Sequence, residues 1–483
     1  MQPAEYVQFD AMGLANLVHR GEVTPQELTE AAVERIESLN GKLNAVVERA
    51  FDSARTAAAG IDRRLPLAGV PFLAKDMNID VAGLHLTSSC RWLAQLPPAI
   101  ADAPLAARWR SAGLSILGRT NTPEFAGDFV TEPTWRGATA NPWDLARSPG
   151  GSSGGAAAAV ASGMVPIAHA TDSGGSIRVP ASACGLVGLK PSRGWVPVGP
   201  QHDELAGGFD CEHVLSRSVR DTALMLDLTQ GAEPVSRYPL RHPARSFAEA
   251  VREEVRPLRI GVALRTPGGD LPADEIGAAA TEAAEMLARA GHRISEFQYP
   301  KSAAQIAEPA AVIWMTATAE EIDFARALLG SGPKPHELEA LSWACAALGD
   351  RRSALDYVRA RRVLTQATRD MAAAFQSIDV LLSPTTSQCA LLTGSIDGRT
   401  AKFDLERWNA DSYGYAPYTE LFNVTGQPAI SLPLAQSRAG LPIGVQFVAP
   451  LGEDARLLML AARLERERPW ESRLAALRRR YLS

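Results

Sequence analysis

The chain has 483 residues, 46% of them hydrophobic and 21% charged, an ordinary globular make-up with apolar residues enough for a sizeable core. Its formal net charge is −5, from 49 basic and 54 acidic residues. That balance excludes a dedicated nucleic-acid binder, which needs a basic patch or stripe.

Cys90, Cys184, Cys211, Cys345 and Cys389 are widely spaced and contain no C-x-x-C pair. They read as reduced thiols of a cytoplasmic protein. The opening MQPAEYVQFDAMG lacks the basic and apolar stretches of a signal peptide. No apolar run of the roughly 18 residues of a membrane span is present; the nearest is the stretch from Gly154 to Ala170.

Residues 8 to 60 read as helical. Thr24-Pro25-Gln26-Glu27 fits a capping box with proline at the first helical position, and Leu28, Ala31, Ala32, Ile36 and Leu39 follow at helical spacing. The apolar run AGVPFLAKDM at 68 to 77 predicts a buried strand ending in Lys75. A helix and the strand LSILGRT occupy 103 to 120. A proline- and glycine-rich loop carrying several aromatics then runs to Gly151, and a loop of that kind is more often functional than disordered. The small-residue stretch from Gly154 to Ala170 predicts a buried helix and a strand. CGLVGLKPS follows as a short apolar run, then a helix capped by Ser218. Residues 230 to 256 read as a surface connection.

The strand–helix–strand order LRIGVAL, DEIGAAATEAAEMLARAG, HRISEFQ fits a βαβ unit of a parallel sheet. Residues 302 to 376 read as a helical insertion. IDVLLSP, PAISLPL and PIGVQFVAP supply further strands, and DARLLMLAARLERE a closing helix.

The chemistry concentrates in two glycine-flanked serine sites, Gly150-Gly151-Ser152-Ser153-Gly154-Gly155 and Asp172-Ser173-Gly174-Gly175-Ser176, whose serines Ser152 and Ser176 stand 24 residues apart. Three readings compete. A phosphate-binding loop would need G-x-x-x-x-G-K-[ST] or a strand ahead of G-x-G-x-x-G, and neither is present. An α/β-hydrolase elbow matches G-x-S-x-G at Ser152, but Pro149 and its polar neighbours make a poor preceding strand. None of His169, His202, His213, His242, His292 or His336 stands in a distinctive context for a triad. The third reading takes a lysine as base. Burial disfavours an ammonium and lowers its pKa, and the apolar run before Lys75 would supply that burial. Ser176 would attack, a second serine would relay the proton, and the turn from Ser173 to Ser176 would aim N–H groups at the oxyanion.

The order GVPFLAKDM, GRTNTPEF, SPGGSSGGAAAAVASG, ATDSGGSIRVPASACGLVGLKPS, SRSVRD, FNVTGQPAISLP and GLPIGVQFVAP resembles the amidase signature family over nearly the whole chain. The resemblance implies an α/β fold with a central mixed, largely parallel twisted sheet covered by helices on both faces. A helical layer over 1–65 would pack on a core spanning 66–483, with a cap near 302–376, all as one catalytic domain. It implies Ser176 as nucleophile, Lys75 as base and Ser152 as bridging serine after a non-prolyl cis peptide. The backbone amides of Ser173, Gly174, Gly175 and Ser176 would form the oxyanion hole, supported by Ser153, Asp172 and Arg178. No cofactor and no metal are implied, and the partner is a small-molecule amide or carbamate rather than nucleic acid or membrane. A homodimer stays open.

Within the family, NTPEF…TEP…RGATANPWDLARSPGGSSGG and FNVTGQPAISLPL resemble the 6-aminohexanoate cyclic dimer hydrolases. Two pocket positions that are Asn and Cys in that subgroup align with Gly127 and Trp314 here. Phe129 and Tyr415 are further pocket candidates, and Trp135, Trp195 and Tyr413 lie in nearby loops. Together they favour an apolar or aryl amide, with carbamates, esters and nylon-oligomer amides within the same chemistry. The alternative is the A-type subunit of a tRNA-dependent amidotransferase, which carries the same signature and needs a partner subunit.

Overall fold

Thr24 opens the helix Pro25–Leu43 with the full capping box, its hydroxyl accepting from the Glu27 N–H while the Glu27 carboxylate accepts from the Thr24 N–H. Leu28, Ala31, Ala32, Ile36 and Leu39 on this helix are all buried. The computed structural model describes residues 1–482 apart from 232, 234, 235, 239, 241, 242 and 244. The expected surface connection at 230–256 therefore lies partly outside the described residues, as does His242. Within that connection Ser246 caps the short helix Phe247–Ala250.

The strands are β1 (Val46–Arg49), β2 (Pro71–Lys75), β3 (Ser115–Thr120), β4 (Ile167–Thr171), β5 (Val187–Lys190), β6 (Glu212–Ser216), β7 (Arg259–Val262), β8 (Arg293–Glu296), β9 (Val380–Pro384), β10 (Ala429–Gln436) and β11 (Pro442–Val448). They form one sheet in the order β1-β3-β2-β4-β6-β5-β10-β11-β9-β7-β8. The β7–helix–β8 unit is parallel, as its sequence order indicates, and its helix is Asp274–Arg289.

The sheet is mixed, but less parallel than expected. Among the described residues four pairings are parallel and six antiparallel, five of the antiparallel ones filling the middle from β4 to β9. β1 also interrupts a stretch that reads as wholly helical. It is a four-residue edge strand paired antiparallel to β3, too short to carry a periodicity of its own, and its conformation comes from the partner.

Helix Gly154–Ser162 is buried at every position. Its alanines let it lie close to β4 and β2, and a helix apolar all round belongs in a core. The cap consists of helices Ala307–Leu329, Ala340–Gly349 and Ala354–Ala374 after a 3-10 turn at Lys301–Gln305. Its core includes Ile313, Leu364 and Met371 packed with Phe209, Leu421 and Phe422. The N-terminal helices share the main core with β2, β4 and the C-terminal helices, through residues such as Leu28, Leu73, Ala168 and Leu477. No helix among the described residues is long and apolar enough to cross a membrane.

Candidate active site

β2 and β4 run parallel side by side, with Phe72 opposite Ile167 and Leu73 opposite Ala168. Their last residues, Lys75 and Thr171, therefore finish next to each other. In open α/β sheets the carboxyl ends of parallel strands are where sites form. Lys75 Nζ lies 2.7 Å from Thr171 Oγ1 and 2.7 Å from Ser152 Oγ. The peptide Gly151–Ser152 is cis. A Cβ on Gly151 would stand 2.7 Å from backbone atoms of Asp128, Phe129 and Val130, so this close approach of two chain segments requires glycine.

Ser153 ties the serine segments together. Its N–H donates to the Ser176 carbonyl at 3.3 Å, its hydroxyl donates to the Thr171 carbonyl at 3.2 Å, and it accepts from the Thr171 N–H at 3.2 Å. The turn after β4 is braced by Asp172. Its carboxylate accepts from the Ile177 and Arg178 N–H groups at 3.1 and 3.3 Å and from the Arg178 guanidinium at 2.7 and 2.9 Å. Arg178 also reaches the Thr419 carbonyl, Gln446 Oε1 and Asn423 Oδ1 at 2.9, 2.8 and 2.6 Å. Burial acts to raise the Asp172 carboxyl, but Arg178 and Asn423 outweigh it and hold it below its ordinary value.

With its ends braced in this way, the turn keeps its amides free. Among the described residues the N–H groups of Ser173, Gly174, Gly175 and Ser176 donate to no protein acceptor. The carbonyls of the same turn do have partners: Gly174 O accepts from Thr419 Oγ1 at 2.6 Å and Gly175 O from the Val179 N–H at 2.7 Å. Four consecutive unspent donors are an arrangement able to receive developing negative charge. Ser176 keeps 7% of its surface exposed, whereas Ser152 is shut off completely.

Lys75 is wholly buried. Burial lowers its pKa from 10.5 to about 8, against the opposing pull of Asp210, Glu212 and Asp172. About one molecule in ten then carries a neutral amine at pH 7, against roughly one in a few thousand for an ordinary lysine. As an ammonium, Nζ donates to both hydroxyls; as an amine, it accepts from one of them.

Sequence reasoning missed the groups behind the lysine. The Lys75 N–H donates to His169 Nδ1 at 3.2 Å, so the other ring nitrogen carries the proton and donates to Glu212 at 2.6 Å. Burial and the nearby Lys75 and Arg119 hold His169 well below its ordinary pKa, which keeps it neutral. Asn78 Nδ2 donates to Glu212 Oε1 at 2.7 Å and to Asp210 Oδ2 at 2.6 Å. Burial raises both carboxyls to about 7. The antiparallel register places Glu212 opposite Thr171, a long-range fact that no local motif announces. His169 contacts the lysine backbone and a carboxylate rather than a serine, and among the described residues no histidine is hydrogen-bonded to Ser152, whose hydroxyl meets Lys75 instead.

The four pocket candidates separate. A Cβ on Gly174 would meet Phe129 Cζ at 3.6 Å and Trp314 Cζ2 at 3.8 Å, so these two rings bound the space beside the turn. Gly127 instead faces Leu341 and the Glu124 carbonyl, in a cleft shared with Asp128, Glu339 and Arg399. Tyr415 is 1% exposed and packs with Phe129, Val179 and Ala416, backing the wall rather than forming its surface. Tyr413 meets Phe129 edge-on at 6.0 Å. Trp195 is a core ring bonded to Asp454.

The Amidase family profile matches residues 27–458. The 6-aminohexanoate-cyclic-dimer hydrolase of Paenarthrobacter ureafaciens is 37% identical over 483 residues, covering 96% of each chain. The solved structure of a 6-aminohexanoate cyclic dimer hydrolase complexed with substrate superposes with a TM-score of 0.93 at 36% identity, covering 98% of this chain and 99% of that one. A bacterial aryl acylamidase of the amidase signature family superposes with a TM-score of 0.88 at 27% identity, covering 97% and 98%. On a profile match spanning most of the chain and a close relative of equal length, the protein belongs to the amidase signature family and is a hydrolase acting on amide bonds.

Proposed function

We propose that the protein cleaves the amide bond of a small, apolar or aryl substrate through an acyl-enzyme on Ser176. The supporting observation is the buried Lys75 amine, 2.7 Å from Ser152 Oγ, beside a turn with four free N–H groups. Ser176 Oγ attacks the carbonyl carbon. Its proton passes to Ser152 Oγ as the Ser152 proton passes to Lys75 Nζ. The oxyanion sits on the N–H groups of 173–176, which stabilise charge that develops only in the transition state. The C–N bond then breaks, and the leaving nitrogen takes the proton back through the same relay. Water repeats the sequence on the acyl-enzyme and frees the acid. Ser153, Asp172 and Arg178 hold the two serine segments in place.

Phe129 and Trp314 beside Gly174 favour an apolar or aryl group in the substrate, consistent with likeness to both a cyclic-dimer hydrolase and an aryl acylamidase. The same attack serves carbamates and esters, whose carbonyls meet the same donors. Purified protein assayed against aliphatic amides, anilides, cyclic amides, carbamates and esters tests this. Anilides or aryl carbamates should exceed short aliphatic amides in kcat/KM, and Ser176→Ala should remove at least about 10³-fold of kcat. Equal rates on aryl and short aliphatic amides would overturn the substrate reading.

A further inference from the structure

Glu420 lies directly after Thr419, whose hydroxyl holds the Gly174 carbonyl. Its side chain carries the aromatic wall. Glu420 Oε1 accepts from Trp314 Nε1 at 2.9 Å and from the Tyr413 hydroxyl at 3.1 Å. Trp314 borders Gly174, and Tyr413 meets the Phe129 ring that also borders it. One carboxylate oxygen thus holds Trp314, which borders the turn, and Tyr413, which packs behind Phe129. The second oxygen, Oε2, has no hydrogen-bond partner among the described residues. The residue is only 6% exposed, and among the described residues no lysine, arginine or histidine forms an ion pair with it.

A buried carboxylate held by two neutral donors is an incomplete arrangement, because buried charges are ordinarily paired. Burial raises this group to about 7, so it ionises near neutral pH and then lacks a counter-charge.

We infer that Glu420, framed by Trp314, Tyr413 and Phe129, is a substrate subsite for a protonated amine at the far end of the apolar group. The substrate class is therefore an amide whose apolar part ends in an ammonium, as an ω-aminoalkyl or aminoaryl group does. This rests on the reading that the carbonyl oxygen sits on the turn 173–176. The apolar part would pass between Phe129 and Trp314, and the ammonium would donate to Glu420 Oε2 and supply the missing charge.

Matched probes test it on each side of the scissile bond. On the acyl side, ω-aminoacyl p-nitroanilides from 4-aminobutyryl to 6-aminohexanoyl are compared with pentanoyl to heptanoyl, which replace the ammonium by a methyl. On the amine side, N-(ω-aminoalkyl)benzamides are compared with N-alkylbenzamides. Each is measured as a substrate and as a competitor of phosphonate labelling at Ser176, so that a slow substrate still gives a ratio. The wild type should favour the ammonium by about tenfold or more in one arm, the scale of a charged hydrogen bond. In Glu420→Gln that ratio should fall toward one, whatever the absolute rate. An ammonium-to-methyl ratio near one in both arms of the wild type overturns the inference without need of a variant. So does an unchanged ratio in Glu420→Gln. If Ser176 still takes the label in these cases, the hydrolytic reading stands; cleavage that survives Ser176→Ala would remove that reading instead.

Discussion

The proposed base, Lys75, would owe its suitability to its surroundings. Burial brings its pKa to about 8, close to working pH, where a general base is most effective. In the proposed mechanism the neutral amine is the active form, so kcat/KM should rise about tenfold per pH unit below the pKa and level off above about 8. A flat profile from pH 6 to 9 would count against Lys75. The neighbouring carboxylates oppose the shift, since negative charge stabilises the ammonium. Glu212→Gln keeps an acceptor for His169 but removes one charge. It should lower the lysine pKa further and move the acid limb to lower pH; an unmoved limb would show that Glu212 does not act on the base. At this scale the sequence was legible where a residue type carries its own chemistry. Lys75, Ser152 and Ser176 stand in recognisable strings. His169, Glu212, Asn78 and Glu420 do not, because each gains its meaning from a strand register or a loop brought in from more than a hundred residues away in some cases, as with Trp314 and Glu420.

Among the elements, the turn 172–176 is the most demanding. Gly175 has φ +144°, and a Cβ there would come 2.4 Å from Thr419 Oγ1, the hydroxyl that holds the Gly174 carbonyl. Gly175→Ala must displace either the turn or Thr419. It should cost about 10²-fold in kcat, comparable to losing an oxyanion donor; near-wild-type kcat would show that the turn tolerates the shift. Arg178 and Asp172 are fully buried and linked at 2.7 Å. Arg178→Ala leaves an uncompensated buried carboxylate, which costs about 3–5 kcal/mol of stability. Denaturant unfolding should show that loss, and a change under about 1 kcal/mol would mean that Asn423 and the backbone N–H groups of 177 and 178 satisfy Asp172 without the guanidinium. Elements with local signals were legible: the Thr24 capping box, the Ser218 cap and the β7–helix–β8 unit. β1 and the helix Arg178–Cys184 were not, since four- and seven-residue elements are too short to show a period.

For the whole molecule, the family was legible because seven motifs fall in order along the chain. The sheet order was not. The middle strands pair antiparallel across long connections, as β5 does with β10, and a strand does not name its partner. Trp314 reaches the site from a helix of the cap, Ala307–Leu329, so substrate choice depends on how that weakly patterned region packs against the strand ends. If the proposed site needs no partner subunit, the protein should cleave small amides alone and leave glutamine untouched. Glutamine hydrolysis that appears only with an added subunit would favour the amidotransferase alternative. The central claim is that Ser176 attacks while Ser152 only relays, and peptide mass spectrometry after labelling with a serine-directed phosphonate tests it most directly. The label should sit on Ser176 in the wild type, remain on Ser176 in Ser152→Ala and vanish in Ser176→Ala; a label on Ser152 in the wild type would contradict the account.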